Sequence, residues 1–190
     1  MSTAPVLRLL GISGSLRAQS GNTAILKAIQ MRLGTTAQMT LFGLHEIPLY
    51  NADFDGDLIP EPVRLLKREI QACDGLVFCS PEYNHGTSGV LKNALDWASR
   101  PGFQSPLKNK PALVMTSSPA ITGGVRANYQ LRETLSAALS RVVCRPQVVI
   151  GAVNTKMANG KFVDEPSLEF ALSAIDDLIA EIKLIMAIQQ

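Results

Sequence analysis

A chain of 190 residues, 46% hydrophobic and 18% charged, carries enough apolar material for one sizeable core, which excludes a disordered or collagen-like polymer. Eighteen basic residues against sixteen acidic ones leave a net charge of +2, and the basic residues are scattered, with no stripe of the kind nucleic-acid binding demands. Three cysteines (Cys73, Cys79, Cys144) show neither an even disulfide framework nor a metal-ligand spacing, no apolar run approaches membrane length, and no leader pattern opens the chain, so a cytoplasmic protein without a metal is expected.

The first expected element is a strand over Val6–Ile12, apolar on both faces apart from Arg8. The loop Gly11–Thr23, GISGSLRAQSGNT, leads from it into a helix over Ala24–Leu33, with Ile25, Leu26, Ile29 and Leu33 at helical spacing and Ser20 or Gly21 as cap. A short strand over Gln38–Phe42 and a turn-rich loop over Gly43–Asp57, holding His45, come next. A second helix starts near Pro60 or Pro62, where proline is tolerated, with Val63, Leu66 and Ile70 inward. Gly75–Ser80, GLVFCS, is apolar throughout, as in a strand buried on both faces of a parallel sheet, and Cys79 reads as a small hydrophobe within it. After the loop Pro81–Ser88 a helix is expected over Gly89–Arg100, with Lys92, Asp96 and Arg100 spaced four apart on its polar side. A linker over Pro101–Asn109 precedes a strand over Lys110–Ser117, a loop over Ser118–Gly124 and a helix over Val125–Leu139. A fifth strand is expected over Val142–Val153, interrupted by Pro146 and Gly151, and then a polar segment with an Asn159-Gly160 turn. The last helix, Ser167–Ile188, carries an apolar stripe from Leu168 to Ile185 that reads as core packing in preference to a membrane surface.

Strands alternating with helices imply a single α/β domain over residues 1–190: a doubly wound, five-stranded parallel sheet of order 2-1-3-4-5 with helices on both faces. Such a sheet binds ligands beyond the carboxyl ends of its strands, at the switch between strands one and three. The loops Ser13–Gly21, Pro81–Ser88 and Ser118–Gly124 all fall there. The first offers glycines, hydroxyls, the start of a helix and Arg17, with no acid, and so suits a phosphate. It lacks Gly-x-Gly-x-x-Gly and the P-loop pattern. The same composition also suits an ordinary capped βα loop. The second loop, PEYNHGTSG, brings the flat ring of Tyr83 beside several hydrogen-bonding groups. In the third, SSPAITGG, Gly123 and Gly124 would let the backbone approach a ligand. Together they describe a mononucleotide site whose ring could be a flavin. The plainer alternatives are Tyr83 capping the core edge and Glu82 as a solvated carboxylate. His85 reads as a rim residue, and His45 has no visible partner.

GSLRAQSGN (14–22), PEYNHGTSGVLKNALDWASRP (81–101) and GGVRANYQLR (123–132) resemble, in order and spacing over about residues 6–150, the signatures of the NADPH-dependent FMN reductase family. The resemblance implies a flavodoxin-like fold, bound FMN, NADPH or NADH as electron donor, and a homodimer or homotetramer. Family acceptors include free flavins, quinones, azo dyes and chromate. It assigns the FMN phosphate to Ser15, Arg17, Ser20, Asn22 and Thr23, with Ser13 and Gly21 beside them in the same cofactor-binding stretch. The isoalloxazine and ribityl chain fall to Pro81, Glu82, Tyr83 and Asn84, and closure of the site to Ser117, Gly123 and Gly124. It assigns no catalytic residue, because the flavin itself carries the hydride. The run His85-Gly86-Thr87-Ser88 departs from the bulkier residue and Pro-Gly of many members. Trp97, on a helix with a partly polar outer side, adds support for a subunit contact near the flavin. A flavodoxin-type electron carrier and a flavin-binding redox regulator are the rival readings. The first is disfavoured because such carriers are strongly acidic and this chain is not.

Overall fold

Two stretches with no polar face set the centre of the protein. β3 (Gly75–Ser80) and β6 (Pro111–Ser117) are buried at every position, as strands covered on both sides must be. The computed structural model describes residues 5–188, and along these the elements run in chain order. They are β1 (Leu7–Ser13), α1 (Gly21–Arg32), β2 (Ala37–Phe42), α2 (Glu61–Ala72), β3, the small hairpin β4 (Glu82–Tyr83) and β5 (Gly86–Thr87), α3 (Gly89–Ala98), β6, α4 (Val125–Ala137), β7 (Arg141–Val142), β8 (Val148–Ile150), the hairpin β9 (Met157–Ala158) and β10 (Lys161–Phe162), and α5 (Glu165–Ile188).

The main sheet is parallel and runs β2-β1-β3-β6, with β7 and β8 both paired to the far edge of β6. This is the expected flavodoxin-like order. Alternate side chains divide the core. Leu9, Val77, Cys79, Leu113 and Met115 pack under α1 and α5, while Leu10, Ile12, Phe78 and Val114 pack under α2, α3 and α4. Each fully buried side chain of this kind contributes about 1.5–3 kcal/mol. The α5 stripe lies in the first of these layers, with Leu168, Ala171, Ile175, Leu178 and Ile182 buried. Among the described residues no helix is long and apolar enough to cross a membrane.

Several boundaries move, each for a local reason. α1 begins at Gly21, three residues before the apolar periodicity, because Ser20 accepts a hydrogen bond from the backbone N–H of Thr23 as a side-chain cap. α5 begins at Glu165, ahead of the expected Ser167, because Asp164 accepts from the Ser167 N–H. α3 stops at Ala98, since the residue before Pro101 is pushed out of helical space. α4 stops at Ala137, and Leu139 turns left-handed at φ 64°. The fifth strand is two pieces: β7 pairs with the start of β6 and β8 with its end, and the chain bulges between them around Pro146. Asn159 and Gly160 form the expected turn, with φ of 50° and 73°.

Trp97 corrects an expectation. It is fully buried inside the chain, where its Nε1 donates to the carbonyl of Pro48 at 2.9 Å and its ring meets Tyr50 edge-on at 4.9 Å. It therefore pins the loop after β2 onto α3 and offers nothing to a subunit contact.

Candidate functional site

β1, β3 and β6 are neighbours in one register and end together, so the loops that follow them meet. Gly14 donates its backbone N–H to the carbonyl of Cys79 at 2.9 Å. A Cβ on Gly14 would lie 2.8 Å from Ser80 Oγ and 2.9 Å from Ser88 Oγ, so only glycine lets the first loop lie this close to the second. Asn22, 5% exposed, ties the first loop to the centre of the sheet. Its Oδ1 accepts from Ser117 Oγ at 3.0 Å and from Cys79 Sγ at 3.2 Å, and its Nδ2 donates to the Ser117 carbonyl at 3.5 Å. Burial pushes the Cys79 thiol far above its ordinary range, so it stays protonated as the donor.

Around the first loop the hydroxyls are spaced to leave protons free. Thr23 Oγ1 donates to Ser13 Oγ at 2.9 Å. Ser13 Oγ also accepts from Ser15 N, and Ser15 Oγ accepts from Arg17 N. Ser20 Oγ accepts from Thr23 N. Ser15 and Ser20 thus each keep an O–H to donate, and the first-turn N–H groups of Gly21 and Asn22 have no intrahelical partner. Arg17 is exposed, and among the described residues its guanidinium donates only to the Gln19 carbonyl, at 3.3 Å. No aspartate or glutamate occurs before Glu46, and the first turn of α1 has no acid. Many donors, a helix N-terminus and an absence of carboxylates fit the phosphate of FMN.

The second loop is the β4–β5 hairpin. Its turn residues Asn84 and His85 are both left-handed, with φ of 49° and 67°, and both are exposed with Tyr83. The hairpin is held at its base. Glu82 Oε2 accepts from the N–H groups of Arg126 and Ala127 at 2.9 and 3.1 Å. Gln130 Oε1 accepts from Thr87 N at 2.6 Å, and Ser80 Oγ shares a hydrogen bond with Thr87 Oγ1 at 2.8 Å. Glu82 is therefore not a solvated carboxylate: its Oε2 caps α4 from another loop. Tyr83, 52% exposed, does not cap the core edge. Pro81 is buried beneath the hairpin.

The third loop places Ser117 inside, bonded to Asn22, and turns back at Gly123 and Gly124, with φ of 60° and 88°. Their lack of side chains serves the protein. A Cβ on Gly123 would lie 2.6 Å from Val149 and 2.8 Å from the Gly151 nitrogen; one on Gly124 would lie 3.1 Å from Thr116 Cβ. Ile121 at the loop tip is 92% exposed.

Two neighbours of the first loop were missed. His45 Nε2 lies 3.1 Å from the Leu16 carbonyl, so it does have a partner, and with Lys27 it lines a slot of about 150 Å³ beside Ser13, Ser15 and Thr23. Lys27 stands one helical turn after Thr23, a spacing that could have flagged it. Nothing in the sequence links His45 to Leu16. Among the described residues no group of three or more His, Cys, Asp or Glu could hold a metal ion.

A parallel sheet with this strand order, and three loops converging at its switch point beside an acid-free set of hydrogen-bond donors, defines a flavodoxin-like mononucleotide-binding protein. The model of the NADPH-dependent FMN reductase family matches residues 7–155, and the chain belongs to that family. It is 40% identical over 164 residues to an NAD(P)H-dependent FMN reductase of Pseudomonas aeruginosa, covering 86% of this chain and 88% of that one. A quinone reductase of Escherichia coli is 33% identical over 94% of this chain and 98% of its own. Among solved structures, the flavoenzyme FerB, an NAD(P)H:(acceptor) oxidoreductase of Paracoccus denitrificans, superposes with a TM-score of 0.83 at 31% identity, covering 94% of this chain and 98% of that one. The protein is thus an FMN-dependent NAD(P)H oxidoreductase.

Proposed function

We propose that Ser15, Ser20, Arg17 and the N-terminus of α1 hold the FMN phosphate, and that quinones and free flavins are the principal acceptors. The observation that carries the first part is the donor set of the loop between β1 and α1, which offers hydroxyl protons, unpaired N–H groups and a guanidinium with no carboxylate nearby. Asn22, Thr23 and Ser13 act one step back: Thr23 donates to Ser13, Asn22 bonds to Ser117 and Cys79, and both sets keep the loop in shape. Bound FMN supplies the hydride relay between the nicotinamide and the acceptor. The chain's own part is to orient and to leave one approach open. The exposed, base-anchored hairpin carrying Tyr83, Asn84 and His85 gives a flat wall of fixed position. Glu82 and Gln130 act as positioning residues for that wall, and Gly123 and Gly124 let the third loop close against it. No side chain is required as acid or base, and none is assigned.

The names of the relatives support quinone-type acceptors. A homodimer or homotetramer fits the exposed apolar residues Leu49 and Phe103 on the flank of α3, and light scattering measures it. Three unpaired thiols fit the reducing cytoplasm. Function is tested by titrating the purified protein with FMN, then measuring NADPH and NADH oxidation against FMN, a quinone, an azo dye and chromate. Tight FMN binding with rapid quinone reduction is expected. A folded protein that ignores FMN would end the reading, and slow nucleotide oxidation with every acceptor would point to a carrier or regulator.

A further inference from the structure

A cavity of about 860 Å³ opens on the flank of α2, walled by that helix, by the segment Asp55–Ile59 and by the turn between α3 and β6. It is lined by six cations, Arg64, Lys67, Arg68, Arg100, Lys108 and Lys110, and by one acid, Asp55. Six of the chain's eighteen basic residues and one of its sixteen acids thus meet at one place, which leaves the rest of the chain net acidic. The site is remote from the FMN loops. Gln71 and Lys110 stand just before β3 and β6, the FMN loops follow the far ends of these strands, and a six-residue strand spans roughly 20 Å.

Three of the cations are already engaged. Arg64 donates to Glu61 at 3.1 Å, Arg100 to the Tyr50 hydroxyl at 3.1 Å, and Lys110 to the Cys73 carbonyl at 2.6 Å. Lys67, Arg68 and Lys108 have no side-chain partner among the described residues. Burial holds the Lys67 ammonium below its ordinary pKa despite the nearby Asp55, so it is partly stripped of water with too little opposing charge. One oxygen of Asp55 accepts from the Tyr50 hydroxyl at 3.0 Å and the other is buried, so neither is presented to a ligand. A concave wall of one sign focuses its potential and concentrates counter-ions. The cavity is of small-ligand size and is not an extended stripe, which argues for one compact polyanion over a nucleic acid. No aromatic ring lines it, so it has no platform for a base.

We propose that this cavity is a second anion site, which takes a polyphosphate chain, either free or as the tail of a nucleoside triphosphate. The test is calorimetric titration of the FMN-loaded protein with tripolyphosphate at low and at physiological salt. Saturable binding that weakens with salt is expected, with a rise in melting temperature. Lys67→Glu and Arg68→Glu should each lower the affinity about tenfold or more, while quinone reduction stays at the wild-type rate. Arg17→Ala should leave tripolyphosphate binding unchanged, because it lies at the other end of the sheet. ATP binding no tighter than tripolyphosphate assigns the site to the phosphate chain alone, and tighter ATP binding assigns it to the nucleotide; either supports an anion site. Absence of binding overturns the proposal, as does binding lost in Arg17→Ala but kept in the two charge reversals. So does a charge reversal that splits an oligomer without changing phosphate affinity, since the cavity would then be a contact between copies.

Discussion

Replacing Glu82 by alanine should unfasten one loop of the proposed FMN site without touching the proposed phosphate cradle. The cap residue of α4, Gly124, has no side chain, so the exposed N–H groups of that helix are served from the hairpin. Glu82 Oε2 takes two of them, at 2.9 and 3.1 Å, its Oε1 lies 3.7 Å from Arg126 Nη1, and the side chain is 11% exposed. Hydrogen bonds to a charged group contribute about 1.5–3 kcal/mol each. Two on one carboxylate are not additive, and water recovers part of the loss, so Glu82→Ala should cost roughly 2–4 kcal/mol. At about 2–4 °C per kcal/mol for a chain of this size, the melting temperature should fall by roughly 5–15 °C. Glu82→Gln keeps an acceptor and loses the charge that complements the helix dipole, so about 1 kcal/mol is expected. Thermal denaturation followed by circular dichroism reads both values. A parallel FMN titration should show weaker binding for the alanine variant, because Tyr83 and Asn84 lose their anchor. An alanine variant that melts within a degree of wild type would refute the reasoning, because the two N–H groups would then be satisfied without the carboxylate.

Arg17→Ala should lower affinity for FMN roughly 10- to 150-fold and barely alter affinity for riboflavin, which has no phosphate. Its exposed side chain supports little packing, so the melting temperature should hold; equal losses for the two ligands would remove Arg17 from the phosphate. Among the thiols, only Cys144 is exposed. A disulfide reagent at pH 8 should therefore modify one cysteine in the native protein and three after denaturation, because burial raises the Cys73 thiol to about 11 and Cys79 further still. Asp164 caps α5 and accepts from Lys156 Nζ at 2.7 Å, which holds its pKa below the usual carboxylate value. Asp164→Ala should cost about 1 kcal/mol at pH 7. A depressed folded pKa stabilises above the ordinary carboxylate value, so this difference should shrink as pH falls below roughly 4; denaturant melts across pH 2–7 would expose a difference that fails to shrink.

The parallel sheet was legible in the chain because β3 and β6 are apolar at every position, which no one-sided strand tolerates. The donor-rich loop after β1 was legible because a stretch dense in glycine and hydroxyls, with one arginine and no acid, stands in the chain between a strand and a helix. Local chemistry of this kind is written in neighbouring residues. Tertiary packing alone decided the rest. Glu82 finds its partners forty-four residues away, on the helix that the sheet order lays beside the hairpin. Gly123 and Gly124 are glycines because the chain turns there at positive φ and Gly123 lies against Val149 and Gly151, a crowding that composition does not record. Trp97 read as a surface residue because the loop that covers it has no periodicity of its own. The six cations of the second cavity lie scattered between positions 64 and 110, and only the packing of α2 against the turn after α3 brings them together. A sequence records what each residue is and how it repeats along an element. Which element becomes its neighbour depends on how the whole set of apolar faces is buried at once.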